Sequence, residues 1–236
     1  MSDISSKTMF DRKNCFSKVY KELMQNGETP LDNQKTARAV AAKLSKTKKS
    51  MIVESSKPCF LFWGVNSICF LDQLHNHKNL VDKSIEYLES ISLSETTKGA
   101  FSGGYMQMPD LANTFASVCV VVAINNTETR NRVLNKRKIK EFLMRMKNED
   151  GSFSMHENGE SDCRSIYSAV ATASMLNILS PELTKNVVDF IEKFHVHFQL
   201  SDVRRRFWCS AGHRSAWRIL FLRIRNSLHS QKNDKI

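Results

Sequence analysis

The sequence predicts an all-α protein in which pairs of helices stack into two layers. Apolar segments of helical length alternate with amphipathic ones, and no stretch has a convincing β-strand pattern. Glycine-rich loops separate these pairs and recur at intervals of about 50 residues, a period typical of stacked helix pairs. Apolar helices are expected in an inner layer and amphipathic ones outside it. We therefore expect a curved or closed double layer of helices.

The first helix pair begins where the composition changes from polar to apolar. Residues 58–71 are nearly all apolar, and Pro58 suits a first helical turn, so this segment predicts an inner helix. Residues 81–88 carry apolar side chains at helical spacing with charged residues between them, which predicts an outer helix. A glycine-rich loop at 99–105 closes the first unit.

The same order then repeats. The remaining elements are, in sequence, an inner helix at 111–124, an outer helix at 137–147, a loop at 150–154, an inner helix at 167–179 and an outer helix at 181–194. Ser180 precedes the last helix and is predicted to be its N-cap.

The chain is predicted to have three parts. Residues 1–50 are polar and rich in lysine, and we expect an attached extension or accessory helix there, with amphipathic spacing at 11–24. A nucleic-acid-binding arm is the less favoured alternative for this segment. Residues 51–200 form the helical domain, and residues 201–236 form a basic tail that we expect to be poorly structured.

The net charge of +11 is concentrated in the tail. Residues 203–236 contain seven Arg and two Lys against one Asp, so the rest of the chain carries only +3. No apolar run is long enough for a transmembrane segment, and the first residues do not resemble a secretory signal, so we expect a cytoplasmic protein. The six cysteines include no CxxC pair, which favours reduced thiols, and no zinc site can be identified from them.

Two segments carry a resemblance to a known family. Residues 142–167 contain Asp-Gly-Ser-Phe and then Met-His-Glu-Asn-Gly-Glu-Ser-Asp-Cys-Arg-Ser, and residues 103–116 contain Gly-Gly-Tyr-Met-Gln-Met-Pro-Asp. Both resemble the protein prenyltransferase β family, and its farnesyltransferase branch more than its geranylgeranyl branches. The similarity extends over about residues 58–194.

The resemblance implies an α–α barrel (toroid), of which this chain holds about half. It also implies a heterodimer with a prenyltransferase α subunit, a zinc ion, farnesyl diphosphate as donor and a C-terminal CaaX cysteine as acceptor. A zinc-bound thiolate is the nucleophile that such chemistry needs.

Five residues are implied as part of the prenyl and peptide pocket. Arg164 and Tyr167 match the Arg and Tyr that line it in relatives, and Trp63 matches an aromatic position of its wall. Asp110 and Ala112 match positions beside the peptide. No catalytic residue and no metal ligand is predicted in this chain.

Structural roles are the alternative for these side chains. Arg164 could instead pair with Asp162 or Glu160, and Tyr167 and Trp63 could be ordinary core aromatics. Both carboxylates are predicted to be structural rather than acid–base groups.

His156 is expected to stabilise its loop rather than to act in catalysis. Four other positions depart from the family pattern. Met106 stands where relatives carry Gly, Asp110 where they usually carry His, Cys59 where many carry Trp, and Ser168 where they usually carry Cys.

The tail leaves the family pattern altogether. We hypothesise that it is the family motif read one base out of frame: because Trp has the single codon TGG, Trp208-Cys209 and Trp217-Arg218 both yield Gly in the shifted frame, nine codons apart. The zinc ligands and the diphosphate-binding cluster are not recognisable in the chain as written. We therefore expect a truncated β subunit that is unable to transfer a prenyl group.

Two other readings stay open. The chain could be a non-catalytic interaction protein that binds a prenyltransferase α subunit. Less favoured is a nucleic-acid or membrane binder that uses the arginines and aromatic residues of 203–236.

Overall fold

The computed structural model describes residues 32–47, 55–92 and 99–200. The amphipathic segment at 11–24 and the basic tail at 201–236 lie outside the described residues. The described part is helical and has no named strand, only isolated bridges within its loops. The all-α prediction is confirmed.

The helices alternate as the repeat pattern predicts. They are α1 (Asn33–Thr47), α2 (Lys57–Phe70), α3 (Lys78–Ser92), α4 (Leu111–Ile124), α5 (Thr127–Val133), α6 (Lys136–Met146), α7 (Cys163–Met175), α8 (Pro181–Thr184) and α9 (Val187–Leu200), with a 3₁₀ turn at Leu74–His77.

Helices α2, α4 and α7 form the inner layer. They pack side by side, α2 against α4 and α4 against α7, and their small and apolar residues allow this close approach. Helix α6 illustrates how an outer helix packs against the inner layer. Its four apolar residues are buried, and most of its polar residues are exposed. These buried residues are Ile139, Phe142, Leu143 and Met146.

Helix α3 is longer than the predicted 81–88, and both ends of α7 differ from the prediction. Helix α7 begins four residues before the expected start, because the Asp162 carboxylate accepts hydrogen bonds from the first-turn amides in a capping box with Ser165. It ends early as well, since Asn177 adopts a left-handed φ of 56° just beyond it.

The predicted outer helix at 181–194 is divided into α8 and α9. Asn186, with φ of 61°, separates the two pieces. Ser180 is the N-cap residue of α8, as predicted, and its backbone is extended, but its side chain makes no capping hydrogen bond. Its hydroxyl is buried without a hydrogen-bond partner.

Helix α1 lies within the predicted N-terminal extension and packs on α2. The side chain of Leu44 lies against Gly64, where an added Cβ would sit 2.1 Å from the leucine Cδ1. The absence of a side chain at Gly64 therefore lets the two helices approach. Helix α5 was not expected. The division of the chain at residue 50 stays a prediction.

No helix in the described ranges combines the length and apolar character needed to span a bilayer.

Candidate functional site

A row of aromatic rings crosses the three inner helices. The rings of Phe62 on α2 and Phe115 on α4 lie 5.7 Å apart, and those of Phe115 and Tyr167 on α7 lie 5.2 Å apart. Both pairs meet edge-on or tilted, which is a favourable arrangement for aromatic contacts. Phe115 and Tyr167 are 52 residues apart and occupy the same position of the repeat.

Two further contacts on the inner helices involve exposed apolar side chains. Trp63 on α2 is 58% exposed and packs edge-on against Phe60 at 5.2 Å. Between α7 and α4, the Met175 thioether lies 3.9 Å from the Cys119 thiol. We call the surface made of six side chains the inner wall: Phe62, Trp63, Phe115, Cys119, Tyr167 and Met175.

The inner wall is apolar and uncharged at neutral pH. Burial raises the pKa of the Tyr167 phenol, and the neighbouring Cys119 adds to that rise, so the phenol stays neutral. A half-exposed apolar surface of this kind can hold an apolar ligand, since each aromatic ring offers a large contact area.

Asp110 lies at the N-terminus of α4, where its carboxylate is the N-cap. It accepts hydrogen bonds from the Asn113 backbone N–H at 2.7 Å and from the Asn113 side-chain amide at 2.5 Å. Burial raises the pKa of Asp110, and the two hydrogen bonds partly offset this. Ala112 follows in the first turn of the same helix and is half-buried.

The Cys59 thiol on α2 lies 3.7 Å from the Asn113 amide oxygen, on the side of the Asp110 cap. Burial and then the charge of Asp110 raise the pKa of Cys59. The pKa of Cys163 is raised to about 11 by burial and by Asp162. Both thiols are therefore protonated at neutral pH and are poor nucleophiles.

Arg164 is exposed and makes the ion pairs that the structural alternative named. Its guanidinium donates to the Asp162 carboxylate at 2.7 and 2.6 Å and lies 3.9 Å from Glu160. These contacts, the hydrogen bond to Asp162 first, raise the pKa of Arg164. Asp162 is structural, as predicted, since it also caps α7.

The loop before α7 is tied to the N-terminus of α4. The Met155 carbonyl accepts from the Leu111 N–H at 2.8 Å. His156 contacts its own loop: its ring nitrogen Nδ1 lies 3.0 Å from the Glu157 carbonyl, and its ring fills the space beside Gly159. This agrees with a loop-stabilising role.

The predicted site residues fall into two groups. Trp63 and Tyr167 belong to the inner wall, whereas Asp110, Ala112 and Arg164 lie in the first turns of α4 and α7 or at their caps. Sequence reasoning missed Phe62, Phe115, Cys119 and Met175. The 52-residue offset of the repeat relates Phe115 to Tyr167, so this offset would have identified Phe115 as a residue of the inner wall.

The described residues do not fit a zinc ion. No group of three or more His, Cys, Asp or Glu side chains within 32–47, 55–92 and 99–200 is arranged to hold a metal.

Comparison with known proteins gives one family and several relatives. Residues 31–197 match the family model described as the prenyltransferase alpha-alpha toroid domain. The chain is 36% identical over 135 residues to the protein farnesyltransferase subunit beta of Pisum sativum, which covers 57% of this chain and 31% of the relative. It is 34% identical over 139 residues to that of Arabidopsis thaliana, covering 59% of this chain and 28% of the relative.

A second type of subunit is also similar. The geranylgeranyl transferase type-2 subunit beta of Saccharomyces cerevisiae is 26% identical over 133 residues, which covers 56% of this chain and 39% of the relative. The matched part of the chain thus spans about a third of the length of these relatives.

Proposed function

Because this chain belongs to the prenyltransferase alpha-alpha toroid domain family, we propose that it is a β subunit of the protein farnesyltransferase type. In this proposal the inner wall holds the hydrocarbon chain of farnesyl diphosphate, and the acceptor is the thiol of a C-terminal CaaX cysteine. Identity to farnesyltransferase subunits, at 36% and 34%, exceeds the 26% to a geranylgeranyl type-2 subunit, which supports the farnesyl branch.

The aromatic row of the inner wall carries this proposal. Its tilted rings, from Phe62 through Phe115 to Tyr167, line one continuous apolar track across three helices. A farnesyl chain is apolar along its length and needs such a surface rather than hydrogen-bond donors. The neutral Tyr167 phenol adds contact area without burying a charge.

The transfer itself forms a bond between the acceptor sulfur and C1 of the donor. The C1–O bond breaks and the diphosphate leaves with its electron pair, while the thiol proton is lost to solvent or a base. Activation of that thiol by zinc would need ligands that the described residues do not provide. Neither Cys59 nor Cys163 belongs to a metal-binding group among the described residues, so no step is assigned to them.

An α subunit as heterodimer partner, CaaX proteins as substrates, zinc and a cytoplasmic location complete the proposal. They follow from the resemblance and from the names of the relatives. The expectation that this chain does not transfer a prenyl group is a prediction, which an assay with zinc, an α subunit and a CaaX peptide would decide.

Binding of farnesyl diphosphate to the full chain tests the donor site directly. We expect Tyr167→Ala to weaken binding by about tenfold, because an aromatic contact contributes up to about 1.5 kcal/mol. Tyr167→Phe retains the ring and should bind as the wild type does. The matched control is Tyr105→Ala, which removes an exposed tyrosine outside the inner wall.

Equilibrium dialysis with labelled farnesyl diphosphate, with and without an α subunit, gives the dissociation constants. Equal affinity for wild type and Tyr167→Ala, in a protein shown to be folded by circular dichroism, would exclude the inner wall as the donor site.

A further inference from the structure

We propose that the outward face of α6 is a docking surface for anionic phospholipid headgroups. We define this basic face by three side chains, Lys136, Arg137 and Lys140. At 100° per residue they lie within one 100° sector of the helix, beside the sector of the buried apolar residues. Lys136 and Arg137 are exposed, the Arg137 side chain to 80%, and Lys140 is half-buried.

The segment that contains this face is rich in positive charge, although Arg132 and Arg145 pair with Glu89 and Glu157. Residues 127–147 contain eight Lys and Arg against two Glu, which gives +6. Lys136 and Lys140 have no carboxylate partner among the described residues, and Arg137 has only a 3.9 Å contact with Glu141. The face is therefore an unneutralised patch rather than a network of surface ion pairs.

The position of these cations on the helix opposes the helix dipole. The N-terminus of a helix carries a partial positive charge, so acidic residues there are stabilising and basic ones are not. Helix α6 has no acidic residue in its first turn but begins with Lys136 and Arg137. An external anion at this face would offset a repulsion that the fold itself leaves uncompensated.

The opposite end of α6 is acidic. Residues 148–162, which follow its C-terminus, contain five Asp and Glu and no Lys or Arg. This separation of charge gives the unit a preferred orientation in the field of an anionic surface, with the basic face toward it and the acidic loop away.

A membrane surface suits this face better than a protein partner. Protein interfaces depend on buried aromatic or arginine anchors seated in pockets. On α6 the exposed large apolar residue is Met144, at 37% exposure, and no aromatic side chain is exposed there. Flexible lysines can bind a flat array of anionic headgroups through charge alone. Each lysine therefore contributes to binding without a defined contact geometry.

The test uses the full chain, since the tail also carries positive charge. Binding to vesicles of phosphatidylcholine, with and without about one third phosphatidylserine, is measured by cosedimentation. The variant is Lys136→Glu with Lys140→Glu. The matched control is Lys78→Glu with Lys83→Glu on α3, which alters the net charge equally at exposed lysines that have acidic neighbours.

We expect the α6 variant to bind phosphatidylserine vesicles about 30-fold more weakly than the wild type, the equivalent of two lysine contacts. The α3 control should stay within about threefold, and high salt should abolish the difference. Folding is monitored by thermal denaturation; a glutamate at position 136, in the first turn of α6, should leave the melting temperature unchanged or higher.

Three outcomes would overturn the proposal. Equal losses in both variants would assign binding to net charge or to the tail. Equal binding of the wild type to neutral and anionic vesicles would remove the electrostatic basis. Displacement from vesicles by a polyglutamate chain at far lower charge concentration would assign the face to an acidic protein partner.

Discussion

The two loops that precede α4 and α7 are each fixed by a buried phenylalanine, which we call the anchor. They differ in their exposed middle parts, which we call the loop tips. The first loop, 99–110, and the second loop, 151–162, are related by an offset of 52 residues. Phe101 in the first and Phe153 in the second are both fully buried. Their shared position in the core shows that each loop is fixed by one aromatic side chain beneath it.

Polar contacts to the following helix are also repeated. The Phe101 carbonyl accepts from the Thr114 hydroxyl at 3.3 Å, and the Phe153 carbonyl accepts from the Ser165 hydroxyl at 2.5 Å. Each loop ends on an aspartate that caps its helix. Packing against a helix therefore imposes the same solution in both repeats.

The loop tips have no such constraint. Tyr105, Met106 and Met108 make the first tip apolar and exposed, whereas His156 and Glu157 make the second tip polar. Where no helix lies beneath the chain, the repeats diverge. The comparison separates residues that build the toroid from residues available for recognition.

The largest test of this comparison is removal of the anchors. Phe153→Ala and Phe101→Ala should each lower the free energy of unfolding by about 3–5 kcal/mol, because each leaves a cavity where a fully buried ring was. Urea unfolding followed by circular dichroism measures both. Met108→Ala on the exposed tip is the control and should change stability by less than about 0.5 kcal/mol. A difference above about 2 kcal/mol between the two Phe variants would show that the anchors are not equivalent.

The glycines of the two loops should respond unequally to the same substitution. Gly151 has φ of 99°, and an added Cβ would lie 2.0 Å from the Asn186 carbonyl oxygen, which is backbone. At Gly99, with φ of 87°, the nearest atom would be the Lys138 Cβ at 2.6 Å, a less severe overlap.

We therefore expect Gly151→Ala to destabilise by about 2–3 kcal/mol and Gly99→Ala by about 1–2 kcal/mol. Thermal denaturation of both variants gives the order. An equal or reversed order would mean that the backbone near Asn186 adjusts more easily than α6 does.

The repeat of inner and outer helices allowed the fold class to be predicted from the sequence. The exact helix ends depend on capping residues and were predicted less well. Helix α4 begins and ends where its apolar run does, since Asp110 and Asn125 bound it. The apolar pattern predicts too late a start for α7, because the helix begins at the Asp162 cap rather than at its first run of apolar residues. The break between α8 and α9 at Asn186 is not visible in the pattern of apolar residues, because apolar residues are buried on both sides of it: Leu183 on α8 and Val187 on α9.

The inner wall was predictable only in part. Trp63 and Tyr167 were found by resemblance, but the ring contacts of Phe115 depend on how closely the inner helices approach. The Cys119–Met175 contact joins residues 56 positions apart, and no local pattern marks such a pair. Side-chain contacts between helices follow from tertiary packing rather than from helical periodicity.

The helix caps offer a smaller test. Asp162→Ala should cost about 1–2 kcal/mol, because this carboxylate caps α7 and also pairs with Arg164. Asp110→Ala should cost about 0.5–1 kcal/mol, because burial of its charge offsets part of the capping gain. Asn variants retain a capping oxygen and serve as controls in the same unfolding experiment. A greater loss at Asp110 would indicate that burial of its carboxylate has little cost.

The smallest expected effect belongs to Lys147, beneath the second loop. Its ammonium lies 4.7 Å from the centre of the Phe153 ring and has no hydrogen-bond partner among the described residues. Burial lowers the pKa of Lys147 to about 8, and the charge of Asp150 partly opposes this. Between pH 8 and about 10.5 the unfolded chain then binds more protons than the folded one.

Stability should therefore rise with pH across that window, relative to Lys147→Met, which cannot titrate. We expect a gain below about 1 kcal/mol, because the side chain is only half-buried and solvent screens its charge. Urea unfolding of both proteins at pH 7.5, 8.5 and 9.5 measures the difference, with Lys185→Met as an exposed control. Parallel pH profiles for wild type and Lys147→Met would mean that the ammonium above Phe153 titrates as an ordinary lysine, and that the second loop rests on its aromatic anchor alone.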